Sequence, residues 1–531
     1  MLKLHKSAKI FFLLFLLLSF PFCKPRRQVQ VTPQQLAEYN LQLKKADSFY
    51  HQGCYLCLKK AFQIYQSLLS FPRFQIKIKE KLLKTSLLLV LRQNEMSTLE
   101  NKYQETASSL IQNNPNLAEF LPYLKIAYIL SRQRIRFMTI YLEKESEIEN
   151  YYTWLEKNVE ALKTKLKEKS EAEEFYAYFY ISFKIEYSSF FKEKESISQL
   201  GEIFSNSPLI QYKLATASKV DKKKLTALIE KEPKFYEAYY FLGELDLALG
   251  KIISAEKKFL IAHQHFPHSI STIMSLTKIY FAFEEFEKCL KFNEKALQLV
   301  PSYREALLGK AISLSYLGRY DQAIKCLDRL LAQGTYLMGE TNYWLAWNEN
   351  ELGQFQKAWE DIESAKKYLI GHHEVHSLAG IIAFQLGKMA EAEKDLNKAI
   401  NLNPDDGQAL LYMGKIKSQQ NSWKKAGFYF DKAAACFENN EKAISQKIKG
   451  IENSSLSEER KKKLLLRKKS QLATTFLTQS TCYYNAAASY FNSGIKDKAL
   501  SLARKAAMHR AFHQKAEELI SKIKGQKEKK K

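Results

Sequence analysis

The feature of the sequence that most constrains its fold is an internal repeat of 34 or 35 residues. Six turn positions follow one another at that spacing: Gly250, Glu284, Gly318, Gly353, Gly387 and Asn421. A unit of this length accommodates two short helices, and it buries its apolar surface only by stacking on its neighbours. The repeat therefore predicts one elongated array of stacked units, rather than the roughly three to five separate domains that the length of the chain would otherwise allow.

The composition points to the same helical architecture. The chain has 531 residues with 18 glycines and 11 prolines, where average usage would give roughly 37 and about 27. Hydrophobic residues make up 46% and aromatic residues 13% of the chain, which argues against wholesale disorder. The low glycine content excludes collagen, and seven cysteines in 531 residues are too few for a disulfide scaffold. The lack of repeated long apolar segments excludes a polytopic membrane protein.

One unit, residues 236–267, displays the repeat most clearly. It carries Leu242-Gly243 in its first half, Ala255 in its second half and Pro267 at its end. Small residues allow two helices to approach closely, large residues fill the spaces between helices, and proline ends the second helix. This spacing resembles the tetratricopeptide repeat. Six in-phase units cover about 233–437, and a seventh covers about 473–510.

The resemblance implies an all-α fold, a right-handed α-solenoid of stacked antiparallel helix pairs. In that family, positions 2, 5, 9 and 12 of each first helix line a concave groove where peptides bind. In this chain those positions hold Tyr240, Glu244, Met274, Lys278, Phe281, Leu308, Ile312, Tyr343, Trp347, Phe384, Leu411, Lys415, Tyr484 and Phe491. If exposed, this set forms an apolar stripe typical of a protein-binding surface. The alternative is that some of these side chains pack between helices.

The sequence divides into seven segments. These are a signal-peptide and lipidation segment (1–23), a linker (24–39), degenerate helical repeats (40–220), a tetratricopeptide array of about six units (221–437), a charged helical insertion (438–472), a final unit with a capping helix (473–524) and a basic tail (525–531). Within the degenerate repeats, residues 175–191 are densely aromatic. Seventeen residues without a turn signal predict a buried helix there, although β-propensity alone would suggest a strand.

The N-terminus has the pattern of an export signal. Lys3, Lys6 and Lys9 precede an apolar run over 10–22, which is too short to span a membrane as a helix. Cys23 follows directly, and the segment resembles a bacterial lipoprotein signal in which this cysteine carries the lipid. The expected location is the cell envelope, on the periplasmic side or at the cell surface. The alternative is an uncleaved anchor with an incidental cysteine.

Few residues suggest chemistry. Cys54 and Cys57 lie one helical turn apart. This spacing favours packing in a helix, with the two thiols free or locally paired. A structural disulfide and a metal or redox site are the alternatives. His372, His373 and His376 lack a recognised metal-site spacing, so we expect packing or surface roles. We find no phosphate loop, dinucleotide fingerprint or nucleophile elbow. The expectation is a non-enzymatic protein without a cofactor, a metal or a small-molecule substrate.

The charge of the chain supports a second hypothesis. Its 82 lysines and arginines and 57 acidic residues give a formal net charge of +25. The strongest basic runs are 460–469 and 526–531. The first hypothesis is an exported scaffold that binds a protein or peptide in its groove. The alternative is a protein that binds polyanions or a membrane surface through the basic insertion and tail; export argues against nucleic acid. Polyanion binding should weaken steeply with salt, whereas binding of an apolar peptide should not.

Overall fold

The computed structural model describes residues 32–71, 74–93, 100–134, 149–150, 152–158, 171–186, 198–217 and 219–528. The candidate signal segment with Cys23, residues 24–31 of the linker, and residues 529–531 of the basic tail lie outside the described residues. All regular structure within the described residues is helical, which confirms the all-α fold class. These residues form two compact units, which meet in the sequence between Phe235 and Tyr236.

The first unit consists of short helices and one 3₁₀ turn. Its elements are α1 (Pro33–Gln52), α2 (Tyr55–Leu68), α3 (Gln75–Gln93), α4 (Asn101–Gln112), the 3₁₀ helix Pro115–Phe120, α5 (Leu121–Arg134), α6 (Glu171–Glu186), α7 (Ser198–Ile203), α8 (Pro208–Ala215) and α9 (Lys222–Lys231). The sequence division assigns α9 to the repeat array, whereas in the structure it belongs to the first unit. Residues 152–158 add a short helical stretch.

The start of the first unit is fixed by local side-chain chemistry. Thr32 and Gln35 form a reciprocal capping box at the first turn of α1, where Pro33 removes an amide that has no helical partner. The Cys54 sulfur accepts a hydrogen bond from the Cys57 amide and so caps α2. The structure joins these two cysteines by a disulfide, with Cα atoms 4.9 Å apart. The disulfide is the structural alternative left open by the sequence.

The aromatic run of the first unit is a buried helix in its described part. Residues 175–186 lie in α6, and the side chains of Phe175 and Phe179 are fully buried with ring centroids 4.8 Å apart. Tyr123 of α5 packs edge-on against Phe179 at 5.4 Å. Ring–ring packing of this kind adds about 0.5–1.5 kcal/mol to the burial of each ring pair. Residues 175–186 are therefore helical, as their spacing predicts, despite their high intrinsic strand propensity.

The second unit is a succession of antiparallel helix pairs. Its helices are α10 (Glu237–Ala248), α11 (Ile252–His265), α12 (Ile270–Ala282), α13 (Phe286–Leu299), α14 (Arg304–Tyr316), α15 (Tyr320–Ala332), α16 (Met338–Glu351), α17 (Phe355–Tyr368), α18 (His373–Gln385), α19 (Met389–Leu402), α20 (Gly407–Gln419), α21 (Trp423–Glu452), α22 (Glu458–Asn492), α23 (Lys496–Ala507) and α24 (His513–Glu528). Each helix packs against the next along the chain.

The turn within each pair has one backbone geometry. At the six turn positions named above, the glycines have φ between 70° and 74°, while Glu284 and Asn421 have φ of 55°. A left-handed residue ends a helix and reverses the chain, and a residue with a Cβ atom adopts that conformation at a cost of roughly 1–2 kcal/mol. The spacing of the turns in the sequence thus corresponds to one repeated turn in space.

Small residues inside the pairs permit close helix packing. A Cβ atom added to Gly380 of α18 would lie 2.5 Å from the Leu396 Cγ of α19. The alanines at corresponding sites, such as Ala392 and Ala399, are fully buried. Because protein interiors are close-packed, side-chain volume at these positions is tightly constrained.

The charged insertion forms the middle of a long helical hairpin. Helices α21 and α22 have 30 and 35 residues, which correspond to lengths of about 45 and 52 Å. Ser457 caps α22 by accepting a hydrogen bond from the Arg460 amide. Residues 438–472 therefore extend the second helix of the sixth pair and the first helix of the seventh, rather than forming a separate element. Within the described residues, no helix combines the length and apolarity that crossing a membrane requires.

Candidate functional site

Six aromatic side chains form a continuous row on the second unit. We call Phe281, Phe286, Tyr316, Tyr320, Trp344 and Trp347 the aromatic stripe. The rings of Phe286 and Tyr316 are stacked with centroids 4.5 Å apart. Tyr316 contacts Trp344 at 5.8 Å, and Trp344 contacts Trp347 at 5.6 Å. Three consecutive helix pairs, from α12 to α16, contribute to this row.

The turns of the helix pairs position most of these rings. Phe281 ends α12 and Phe286 begins α13, on either side of Glu284. Tyr316 ends α14 and Tyr320 begins α15, on either side of the next turn. Because the two turns repeat one geometry in adjacent pairs, the flanking rings come together. Phe281 lies 5.8 Å from Tyr316 across the boundary between the pairs.

The stripe is partly open to solvent. The exposed fractions are 42% for Phe281 and 48% for Tyr316, whereas Phe286 is buried at 6%. Trp344 and Trp347 are half-buried. Burial and, secondarily, the Glu284 carboxylate raise the pKa of Tyr316, so its hydroxyl remains a hydrogen-bond donor at neutral pH. Half-exposed aromatic rings with a polar edge are well suited to bind a partner.

The structure brings together only part of the predicted groove set. Phe281 and Trp347 lie in the stripe, and Tyr343 touches Trp344 at 5.6 Å. Phe384 contacts Tyr412 at 5.4 Å, and the Lys415 ammonium lies 3.8 Å from the Tyr412 ring centre. Burial lowers the pKa of this lysine.

The other predicted groove residues mainly pack on the core. Tyr240 and Met274 are partly buried against the cluster of the first two pairs, Leu308 against that of the third and fourth, and Tyr484 and Phe491 against the C-terminal cluster. Lys278 is exposed, while Glu244 and Ile312 are half-buried.

Leu411 differs from the sequence expectation. It is only 7% exposed and belongs to the core cluster shared by α20 to α24. Leu411 therefore follows the alternative in which a groove-position side chain packs between helices. Position in the repeat alone does not separate groove residues from core residues where the long hairpin enlarges the core.

Sequence reasoning missed four members of the stripe: Phe286, Tyr316, Tyr320 and Trp344. They lie outside the four groove positions on which the prediction rests. A usable signal was present, because an aromatic residue lies two or three positions on either side of two successive turns, Glu284 and Gly318. The period of the turns would have aligned Phe286, Tyr316 and Tyr320, but it gives no signal for Trp344.

The basic run of α22 lies against the start of the second unit. We call residues 457–471 the basic segment. The Arg460 guanidinium donates to the Glu256 carboxylate at 2.7 and 2.8 Å and to the Glu285 carboxylate at 2.5 Å. Lys468 pairs with Glu284. Lys461 and Lys463 form pairs with glutamates at the start of α22 itself, at 3.1 and 2.7 Å.

Two carboxyl groups face each other inside the fourth helix pair. Glu349 of α16 is buried and hydrogen-bonds to Asp361 of α17. Burial, followed by the charge of Asp361, raises the pKa of Glu349 to about 8. The pair therefore holds a proton at neutral pH. It has no further acidic or histidine partner suited to a metal: within the described ranges, no group of three or more such side chains could hold a metal ion.

The clustered histidines make structural contacts. His376 is buried between the Asp395 carboxylate at 3.1 Å and the Ile370 carbonyl at 3.2 Å. His373 lies 3.1 Å from the Asp406 carboxylate. The His376–Asp395 contact joins the two helices of the fifth pair, and the His373–Asp406 contact links that pair to the start of α20, in line with the packing roles expected from the sequence.

Comparisons with known proteins identify the repeats. Residues 308–367 and 373–406 match two family models that are both described as tetratricopeptide repeat. The first match covers α14 to α17 almost entirely, and it includes Tyr316, Tyr320, Trp344 and Trp347 of the stripe.

Two curated relatives match parts of the chain. It is 26% identical over 199 residues to the protein O-mannosyl-transferase TMTC1 of Homo sapiens, covering 36% of this chain and 22% of that protein. It is 43% identical over 53 residues to an uncharacterised protein of Methanocaldococcus jannaschii, covering 10% of this chain and 62% of that protein. The chain thus spans less than two thirds of the length of either relative.

Solved structures also resemble parts of the chain. A tetratricopeptide repeat protein from Parabacteroides merdae is 21% identical and covers 51% of this chain and 98% of its own, with a TM-score of 0.34. PilW, described as a widely conserved type IV pilus biogenesis factor, is 16% identical and covers 38% of this chain and 93% of its own, with a TM-score of 0.35.

The family matches coincide with helix pairs whose turns, small residues and spacing repeat through the second unit. The chain therefore carries tetratricopeptide repeats, and these repeats suggest a scaffold for interactions between proteins.

Proposed function

We propose that the protein is a non-enzymatic scaffold that captures a protein or peptide segment on the aromatic stripe. The observation that carries this proposal is the unbroken chain of ring contacts from Phe281 through Tyr316 to Trp347, with its members only partly buried. Tyrosine and tryptophan bury a large area with little loss of side-chain entropy, which makes them frequent anchors of protein interfaces.

The chemistry of the stripe defines the partner. A segment with apolar or aromatic side chains would replace water over the rings, and the tyrosine hydroxyls of the stripe would hydrogen-bond to its backbone. The Phe384, Tyr412 and Lys415 cluster provides a second aromatic surface with a positive charge on it. An acidic group beside the apolar anchor would be favoured there.

The experiment that tests this proposal compares two tyrosines of similar exposure. Tyr316 is 48% and Tyr368 is 59% exposed, but only Tyr316 belongs to the stripe. Proteins captured from detergent extracts of the source cells by the wild-type chain are identified by mass spectrometry. Capture of a given partner should fall at least tenfold for Tyr316→Ala and remain unchanged for Tyr368→Ala. Equal capture by both variants would remove the stripe as the binding surface.

We also propose that the protein is exported and held at a membrane by a lipid on Cys23. The basic residues, short apolar run and cysteine of the N-terminal segment support this proposal. The Cys54–Cys57 disulfide adds support, because disulfides persist mainly in oxidising compartments.

The alternative of polyanion or membrane-surface binding through the basic run has weaker support. Arg460 and Lys468 are engaged by glutamates of the second unit. Lys461 and Lys463 pair with neighbouring glutamates. Few charges of the run are left for a polyanion. A steep loss of partner capture between low and moderate salt would favour this alternative.

A further inference from the structure

The basic segment is bound to a surface far away in the sequence. The glutamates that hold Arg460 are Glu285 and Glu256, which precede it by 175 and 204 residues. The side chains of these three residues are between 10% and 13% exposed. Charges removed from water to this extent require their partners, so the contact is a specific docking rather than a chance surface pair.

One face of α22 makes this contact. Arg460, Leu464, Arg467 and Lys468 are spaced at intervals of four, three and one residues, which places them on one side of a helix. Leu464 is only 7% exposed and joins the core cluster of the first two helix pairs. The guanidinium of Arg460 also lies 4.3 Å from the ring centre of Phe283.

The docked face reaches the aromatic stripe. The Arg467 guanidinium lies 4.8 Å from the centre of the Phe286 ring, the same ring that stacks on Tyr316. Phe286 is buried, whereas its neighbours Phe281 and Tyr316 are more than two fifths exposed. The basic segment thus lies over one end of the stripe.

The surface under the segment has a distinct chemistry. Glu256, Glu284 and Glu285 supply negative charge around Phe283 and Phe286. A surface of this kind matches a helix with basic residues flanking a leucine. Lys462 and Lys469, which lie in the same segment, are exposed and do not face this surface.

We propose that the acidic and aromatic surface formed by Glu256, Phe283, Glu284, Glu285 and Phe286 is a docking site for a basic amphipathic helix. The protein's own basic segment occupies this site and competes with such a helix from a partner. Release of the segment uncovers the Phe286 end of the stripe. This last consequence, partner access to the stripe, rests on the proposed function; the docking site itself does not.

The test uses the basic segment as a separate peptide. A fluorescently labelled peptide of residues 457–471 is titrated with the purified full chain and followed by fluorescence anisotropy. In the wild-type chain the tethered segment acts as a competitor at an effective concentration on the order of millimolar, so binding should be weak. Arg460→Glu/Lys468→Glu in the chain should release the segment and tighten binding of the wild-type peptide at least tenfold.

Two further variants make the result specific. Lys462→Glu/Lys469→Glu changes the net charge by the same amount but affects exposed residues, and it should bind the peptide as weakly as the wild-type chain. Adding Glu256→Lys/Glu285→Lys to the released chain should abolish binding. A milder variant, Arg460→Gln, should give an intermediate affinity.

Several results would overturn the proposal. Equal peptide binding by wild-type and released chains would do so, as would no binding by a released chain that retains its helical circular dichroism. If both Arg460→Gln and the double variant lose that signal, the segment is an obligatory part of the core and not a competitor. If release enables peptide binding but Tyr316→Ala leaves partner capture unchanged, the docking site stands and the proposed function fails.

Discussion

Tyr316 stacks on Phe286 across the boundary between two successive helix pairs, with ring centroids 4.5 Å apart and ring planes within 7° of parallel. Neither ring lies at one of the four first-helix positions that line the peptide-binding groove in the family. The contact forms because both residues flank left-handed turns at equivalent places in adjacent helix pairs. It connects the end of the stripe beneath the basic segment to the two tryptophans of α16.

The first prediction separates binding from packing on α16. Trp347→Ala should cost about 2 kcal/mol or more in partner binding, as the truncation of an interface anchor. Leu345 is almost fully buried on the same helix, and Leu345→Ala should lower the free energy of unfolding by roughly 2–5 kcal/mol. Thermal melts and a capture assay on both variants provide the measurement. If Trp347→Ala melts as early as Leu345→Ala, Trp347 is a core residue.

The second prediction concerns the proton shared by Glu349 and Asp361. Burial raises the pKa of Glu349 to about 8 from a reference value of 4.5. The folded state therefore holds more protons between these pH values, so the free energy of unfolding falls as the pH rises from about 4.5 to about 8 and then levels off.

A neutral isostere should remove this dependence. Glu349→Gln should be more stable than the wild type at pH 8.5 and similar to it at pH 5, as measured by urea unfolding. A shift of one pKa unit corresponds to about 1.4 kcal/mol, so urea unfolding can measure the difference in the free energy of unfolding between the variant and the wild type. Glu351→Gln, at an exposed site on the same helix, is the control. Parallel pH profiles for Glu349→Gln and the wild type would contradict the assignment.

The third prediction concerns close packing within the fifth helix pair. Gly380→Ala places a Cβ atom 2.5 Å from Leu396 Cγ and should lower the free energy of unfolding by roughly 1–3 kcal/mol, despite the better helix propensity of alanine. Gly371→Ala meets no atom within 4 Å and should change stability by less than about 0.5 kcal/mol. Denaturant unfolding of the two variants measures the difference; equal values would show that Leu396 moves aside freely.

The fourth prediction concerns the disulfide of the first unit. Closing the short loop between Cys54 and Cys57 stabilises the fold by about 2 kcal/mol in a chain-entropy description. A reducing agent should therefore lower the melting temperature of the wild-type protein. The variant Cys54→Ala/Cys57→Ala should melt at one temperature with and without reductant. An unchanged melting temperature of the wild-type protein in reductant would show that the disulfide contributes nothing to stability.

The fifth prediction concerns Cys23. If this residue carries the lipid, the mature protein partitions into detergent, and Cys23→Ser becomes soluble or accumulates as an uncleaved precursor. A diacyl anchor holds a protein at the membrane far more firmly than a single chain. Intact-mass analysis reads the modification directly. An unmodified, uncleaved N-terminus would refute lipidation.

Features that repeat were predictable, and features that occur once were not. The turn at Gly250 recurs along the array, and its spacing, together with the resemblance to the tetratricopeptide repeat, predicted the helix pairs. Trp347 and Phe281 were predicted to face one surface because their offsets repeat, and both rings lie in the aromatic stripe. The Arg460–Glu256 pair follows no period, since its partners come from distant parts of the chain and meet only after the hairpin has folded. The burial of Leu411 was not predictable for the same reason, because this residue lies in a core enlarged by that hairpin.

The docking of Arg460 on Glu256 has a consequence for the number of repeats. In an open solenoid each unit contacts only its neighbours, so units can be gained or lost and the ends can unravel separately. Here a residue of α22 is fixed to α11, and every helix pair between them is enclosed by that contact. Deleting one helix pair between α11 and α22 would move Arg460 away from Glu256. While the basic segment is docked, the array between them is held at one length and should unfold as one cooperative block.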